Sequence, residues 1–151
     1  MASASDSRLL KDIASVRALQ TLGCERDVGA CAARHRQSSD IVDGEVDQLN
    51  QLEQGWHAVL EGPTFAPESS RAWSDAMMRQ VGNLDIAQQD LANAEADLRD
   101  NRSAWRAAMT RQTDAERHFE EARRRELAER DEIALHEATE RHLARWWRER
   151  R

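Results

Sequence analysis

The residues best suited to chemistry in this chain are few. Cys24, Cys31 and His35 are spaced by seven and four, which places them on one face of a helix. Thiolate and imidazole are ligands that zinc favours, but a structural zinc site takes four ligands in a tetrahedron and usually uses closely paired cysteines. No fourth ligand accompanies these three. The expected reading is a set of small, moderately apolar seam residues beside a polar histidine. Two cysteines seven apart on a helix are about 10 Å apart, too far for a local disulfide, and reduced thiols fit a cytosolic protein. His136 and His142 lie among Glu132, Glu137 and Glu140 and read as a solvated helix face. The chain has no Gly-rich phosphate loop, no G-x-S-x-G and no H-E-x-x-H. Its many carboxylates are expected on solvated faces, with no cleft to raise a pKa. These readings point to a protein that is not an enzyme and uses no cofactor and no metal.

The second notable constellation is at the C-terminus. From Arg141 to Arg151 the sequence holds five arginines, one glutamate and the adjacent pair Trp146–Trp147. Trp and Arg are the residues most enriched at binding hot spots. Arg141, Arg145, Trp146, Trp147 and Arg148 are therefore the candidate partner-binding residues. A structural alternative stands beside this reading: basic residues suit a helix C-terminus, and the tryptophans could pack on the N-terminal residues. The formal charge of −6 disfavours a nucleic-acid binder, which needs a broad basic face. Trp56, Phe65 and Trp73 flank a turn, where they are expected to staple its two sides; a second docking surface is the alternative.

The elements that must position these groups follow from composition and punctuation. The 151 residues are 33% charged, with a mean hydropathy of −0.83. The hydrophobic share includes 24 alanines; Leu, Ile, Val, Phe, Met and Trp together number 34. Such a composition suits long helices with a narrow apolar seam, and the regular apolar spacing argues against disorder. The only prolines are Pro63 and Pro67. Gly62 can end a helix and Pro63 cannot continue it, whereas Pro67 followed by Glu68 suits the first turn of the next. The expected fold is all-α, a single hairpin over 1–151: helix 1 over about 6–61, a turn at about 62–67, and a longer helix 2 over about 67–150, the two forming an antiparallel coiled coil.

In the second segment Leu84, Leu91, Leu98, Trp105, Phe119 and Ile133 share one seven-residue frame, interrupted by Gln112 and Glu126. Small residues follow three positions later at Ala87, Ala94, Ala108, Ala115 and Ala122, with Asn101 the exception. Glu95/Arg99, Glu121/Arg125, Glu126/Arg130 and Glu137/Arg141 are candidate i,i+4 ion pairs. The first segment is patchier. Val42, Leu49, Leu52, Trp56 and Val59 keep a 3/4 spacing, as do Leu9, Ile13 and Val16, but 33–40 has little to bury. Gly23, Gly29, Gly44 and Gly55 would each cost about 1 kcal/mol relative to alanine. Helix 1 is expected to be the weaker partner, with a kink or break near Ser38–Asp40, and a three-helix arrangement is the minority alternative.

A short turn leaves antiparallel packing as the easy arrangement. Centred near residue 65, it pairs residue i with roughly 130 − i, so Leu9 would meet the region of Glu121 and Leu49 that of Val81. At about 1.5 Å per residue the helices would run about 80 and 125 Å. Helix 2 would then overhang from Ala122 onward.

The hairpin break at Gly62–Pro63, the Leu84-to-Phe119 frame and the Arg-rich end together resemble, over nearly the whole chain, the stalk proteins of type III secretion: the FliJ family of flagella and the YscO/HrpO family of injectisomes. The likeness is one of architecture. It implies a central stalk, similar to the shaft of a rotary ATPase, with the end carrying both termini in the pore of a hexameric secretion ATPase. It also implies a bridge toward the cytosolic ring of the export gate, and for some members an escort role for secretion chaperones. Arg145, Trp146, Trp147 and Arg148 would touch the ATPase. The N-terminus has no signal-peptide pattern and no run is apolar enough to span a membrane. The expected location is therefore the cytoplasm, peripheral to the inner-membrane apparatus at most. A monomer is expected, with a homodimeric four-helix bundle as the scaffold alternative.

Overall fold

The computed structural model describes residues 4–62 and 67–150. It is an all-α hairpin of two helices, α1 (Ala4–Leu60) and the longer α2 (Pro67–Glu149). Glu61 N donates to His57 O at 3.0 Å and extends the last turn of α1. Pro67 opens α2 with Glu68 in its first turn, where a fixed φ and a negative charge are both favourable. Pro63 and Phe65, the expected helix stopper and turn aromatic, lie outside the described residues.

α1 runs as one helix through Ser38–Asp40, so the break expected there does not occur. The reason lies in an unbroken seven-residue repeat. The covered positions of α1 fall at Ser7, Ala14, Thr21, Val28, His35, Val42, Leu49 and Trp56, and at Leu10, Arg17, Cys24, Cys31, Ser38, Glu45, Leu52 and Val59. Those of α2 run in the same two frames from Ser70 to Glu126. A sustained 3.5-residue period keeps one seam facing the partner, and polar members that find partners do not interrupt it.

The hairpin divides into two compact units: one is Cys24–Ala104, the other joins the chain up to Gly23 with the chain from Trp105. In the first, the two helices meet antiparallel. Asn101 Nδ2 lies 3.4 Å from Cys31 Sγ, Arg34 lies 3.7 Å from Asp97, His35 3.6 Å from Glu95, and Gln80 Nε2 2.9 Å from Glu45 O. The sums of paired positions stay near the expected 130. Ala87 and Leu98 are buried in its seam, and Gln80 is buried beside them.

In the second unit Lys11, Ala14 and Ala18 line a groove with Glu116, Phe119 and Glu120, and Ala108 is buried. Here one expectation fails. Leu9, Ile13 and Val16 are exposed, Leu9 by 60%, and the seam is carried by Ser7, Leu10, Ala14, Arg17 and Thr21. Leu9, Ile13 and Val16 share a face, but one turned roughly 100° from the partner. Thr21 is buried with its hydroxyl donating to Arg17 O at 3.0 Å, which satisfies it within the helix.

Candidate partner-binding site

Five of the six expected seam residues of α2 are covered: Leu98 is buried, and Leu84, Leu91, Trp105 and Phe119 are half-buried. Ile133 is not; it is 57% exposed. It keeps the heptad frame but lies beyond the reach of α1, so no described residue packs over it. Coverage extends to Glu126 rather than stopping at Ala122, because α1 begins at Ala4. From Leu127 to Arg150 every residue is exposed. Those residues are about six and a half turns of helix, or roughly 35 Å.

The predicted partner-binding residues all fall on this uncovered segment. Trp146 and Trp147 meet edge to face, their ring centroids 5.4 Å apart at 85°, an arrangement favoured by the ring quadrupoles. The Arg150 guanidinium carbon stands 3.9 Å above the centre of the Trp146 ring, a cation–π contact. Trp146 is therefore the more covered, at 39% exposure against 65% for Trp147. Arg141 donates to Glu137 Oε2 at 2.8 Å. None of the ion pairs among the described residues involves Arg145 or Arg148. Among the described residues the tryptophans pack on each other and on Arg150; residues 1–3, part of the alternative packing surface, lie outside the described residues. The result is an indole pair capped by the Arg150 guanidinium, with Arg145 and Arg148 on the same exposed segment, residue types able to fill apolar pockets and to grip carboxylates in bidentate fashion.

Of the four expected i,i+4 pairs, Glu126–Arg130 and Glu137–Arg141 form, at 2.5 and 2.8 Å. Glu95 turns instead to His35 across the seam, and Glu121 lies 4.0 Å from His118. Near the turn Trp73 lies against Gly55, and Trp56 lines a small groove with Met77 and Val81, so these two tryptophans staple their unit.

The thiols of Cys24 and Cys31 are unbridged. Cys31 is 3% exposed and accepts from Arg34 Nη2 at 3.1 Å. Among the described residues no three His, Cys, Asp or Glu side chains converge to hold a metal ion. No helix of the described residues is long and apolar enough to cross a membrane.

One surface escaped sequence reasoning. Leu9, Ile13 and Val16 form an exposed apolar strip on the outer side of α1, and the exposed Leu19 and Leu22 follow at steps of three that wind around the helix. Its 3/4 spacing is visible in the sequence, but not its direction. No protein-family model, curated protein or solved structure matches the chain.

Proposed function

We propose that this chain is a non-enzymatic interaction protein acting as the central stalk or adaptor of a type III protein secretion system. It would link the hexameric secretion ATPase to the cytosolic ring of the export gate and escort secretion chaperones. The observation that carries the reading is the end of α2: Leu127 to Arg150 is exposed and carries a paired indole beside Arg145 and Arg148, which join no ion pair among the described residues. A stalk biases the subunits of a ring by asymmetric contact, and such a segment offers contact without a catalytic group. Its place would be the cytoplasm, against the inner-membrane apparatus.

The test is stimulation of a candidate secretion ATPase by the purified chain. The variant Arg145→Ala/Trp146→Ala/Trp147→Ala should fold as the parent does and lose the stimulation. Full stimulation by that variant would remove the assignment.

A second reading, a coiled-coil scaffold that dimerises into a four-helix bundle, is favoured by the exposed Leu9, Ile13, Val16, Leu19 and Leu22. On that reading Val16→Asp and Leu19→Asp would dissociate a dimer; on the stalk reading they would change nothing in solution.

A further inference from the structure

The heptad frame of α2 does not stop where α1 stops. Continued past Glu126 and Glu129, its two core positions are occupied by Ile133, His136, Glu140, Leu143, Trp147 and Arg150, all exposed. In proteins most helical stability comes from packing an amphipathic face, and this face of α2 packs on no described residue. Charge along it is split. Between Glu126 and Glu140 there are six acids and one arginine; between Arg141 and Arg150 there are four arginines and one glutamate.

From this pattern we infer that the uncovered end of α2 pairs antiparallel with the same segment of a second copy, about a two-fold axis near Ala138. In an antiparallel coil the two kinds of core position face each other. In this register Ile133 faces Leu143 of the second copy, Glu129 faces Trp147 and His136 faces Glu140, while Glu126, half-covered by α1 and paired with Arg130, lies at the edge of the interface. Each layer occurs twice by symmetry, as an isologous interface requires, and the acidic half of each segment lies along the basic half of the other.

The neighbouring registers lack this match. A shift of one heptad in one direction sets Glu129 against Glu140 and Ile133 against His136; in the other direction it sets Ile133 against Arg150. A parallel pair would set Glu129 and Glu140 each against its own copy, where like charges repel. Of the registers that overlap most of the segment, the antiparallel one centred near Ala138 alone sets Ile133 against Leu143 and lays the acidic half of one copy beside the basic half of the other. It is a short interface with polar layers, so the dimer is a concentration-dependent one. It also covers Trp147 and Arg150, so a partner that docks on that end competes with the second copy. The inference does not depend on what the partner is.

The test is sedimentation equilibrium of the full chain from micromolar to millimolar concentration. The parent should show a monomer–dimer equilibrium. Ile133→Asp, at an uncovered position, should weaken it by roughly a hundredfold. Ile133→Lys and Leu143→Asp, both at exposed positions, should each weaken it similarly, since each puts a charge into both copies of the apolar layer. An equimolar mixture of those two variants should recover dimerisation, because in the mixed dimer the two introduced charges oppose each other and the unchanged Ile133 meets the unchanged Leu143. A parent that is monomeric throughout would overturn the proposal. So would a dimer indifferent to Ile133→Asp, or a mixture no tighter than its components. Helical circular dichroism of each variant confirms that folding is unchanged.

Discussion

Gln80 of α2 reaches across the seam and donates its side-chain amide to Glu45 of α1 twice, to the main-chain carbonyl oxygen at 2.9 Å and to the carboxylate at 2.6 Å. Gln80 is buried, and Glu45 occupies a seam position that an apolar residue would ordinarily fill. A polar pair in a coiled-coil core specifies register at a cost in stability.

The first prediction follows from that pair. Gln80→Leu leaves the Glu45 carboxylate without its donor in a half-buried place, which should destabilise the hairpin by about 1–3 kcal/mol in urea unfolding. The double variant Gln80→Leu/Glu45→Leu should regain that loss or exceed it, because apolar replacement of a polar core pair is often neutral or stabilising. It should also lose uniqueness, seen as broadened amide resonances. A double variant as destabilised as the single one would show that the pair stabilises outright.

Glycines divide by what surrounds them. A Cβ on Gly55 would overlap the indole of Trp73, whereas one on Gly23, Gly29, Gly44 or Gly82 would meet nothing within 4 Å. Gly55→Ala should therefore destabilise by about 1–3 kcal/mol through overpacking. Gly23→Ala and Gly44→Ala should each stabilise by up to about 1 kcal/mol through helix propensity. Thermal melts of the three variants are enough, and a stabilised Gly55→Ala would mean that Trp73 does not rest there.

The uncovered end of α2 should be separable from the stability of the paired helices. Deleting residues 129–151 removes side chains that are exposed wherever they are described. The remaining hairpin should unfold within about 0.5 kcal/mol of the parent, as surface changes do. Loss of cooperative unfolding on truncation would reveal contacts between this end and the rest of the chain.

The two cysteines should react at different rates. Cys31 is 3% exposed under the seam, and Cys24 is half-buried. Under native conditions a thiol reagent should label Cys24 at least about tenfold faster, since a buried thiol reacts only when its segment opens. Mass spectrometry of partly labelled peptides reads the order directly, and equal rates would place Cys31 at the surface.

Much of the fold is legible in the residues. Gly62 and Pro67 mark the hairpin break to within a residue or two of the helix ends. Along α2 large residues alternating with alanine announce the seam, because there the apolar residues and the facing positions coincide. The Trp146–Trp147 pair is recognisable as unusual from its position alone.

In α1 that coincidence holds for Val42, Leu49, Leu52, Trp56 and Val59, which are all covered, and fails toward its start. Its seam includes Ser7, Thr21, His35, Ser38 and Glu45, while Leu9, Ile13, Val16, Leu19 and Leu22 point away from α2. Periodicity reports which residues share a face, not which face meets the partner. With two stripes of similar spacing on one helix, the more apolar one is the decoy. Polar seam residues read as a break in the sequence because their partners, Glu95 for His35 and Gln80 for Glu45, lie 60 and 35 positions away.

The sequence by itself therefore determined that this chain makes two helices, where they turn, and which face of α2 is buried, since helix propensity, proline and the heptad act locally. Tertiary structure alone decided which face of the first part of α1 enters the seam and where the seam ends. Both depend on register. Sliding α1 along α2 changes what faces Glu45, and the start of α1 leaves Ile133, Leu143 and Trp147 in the same frame as the core but outside it.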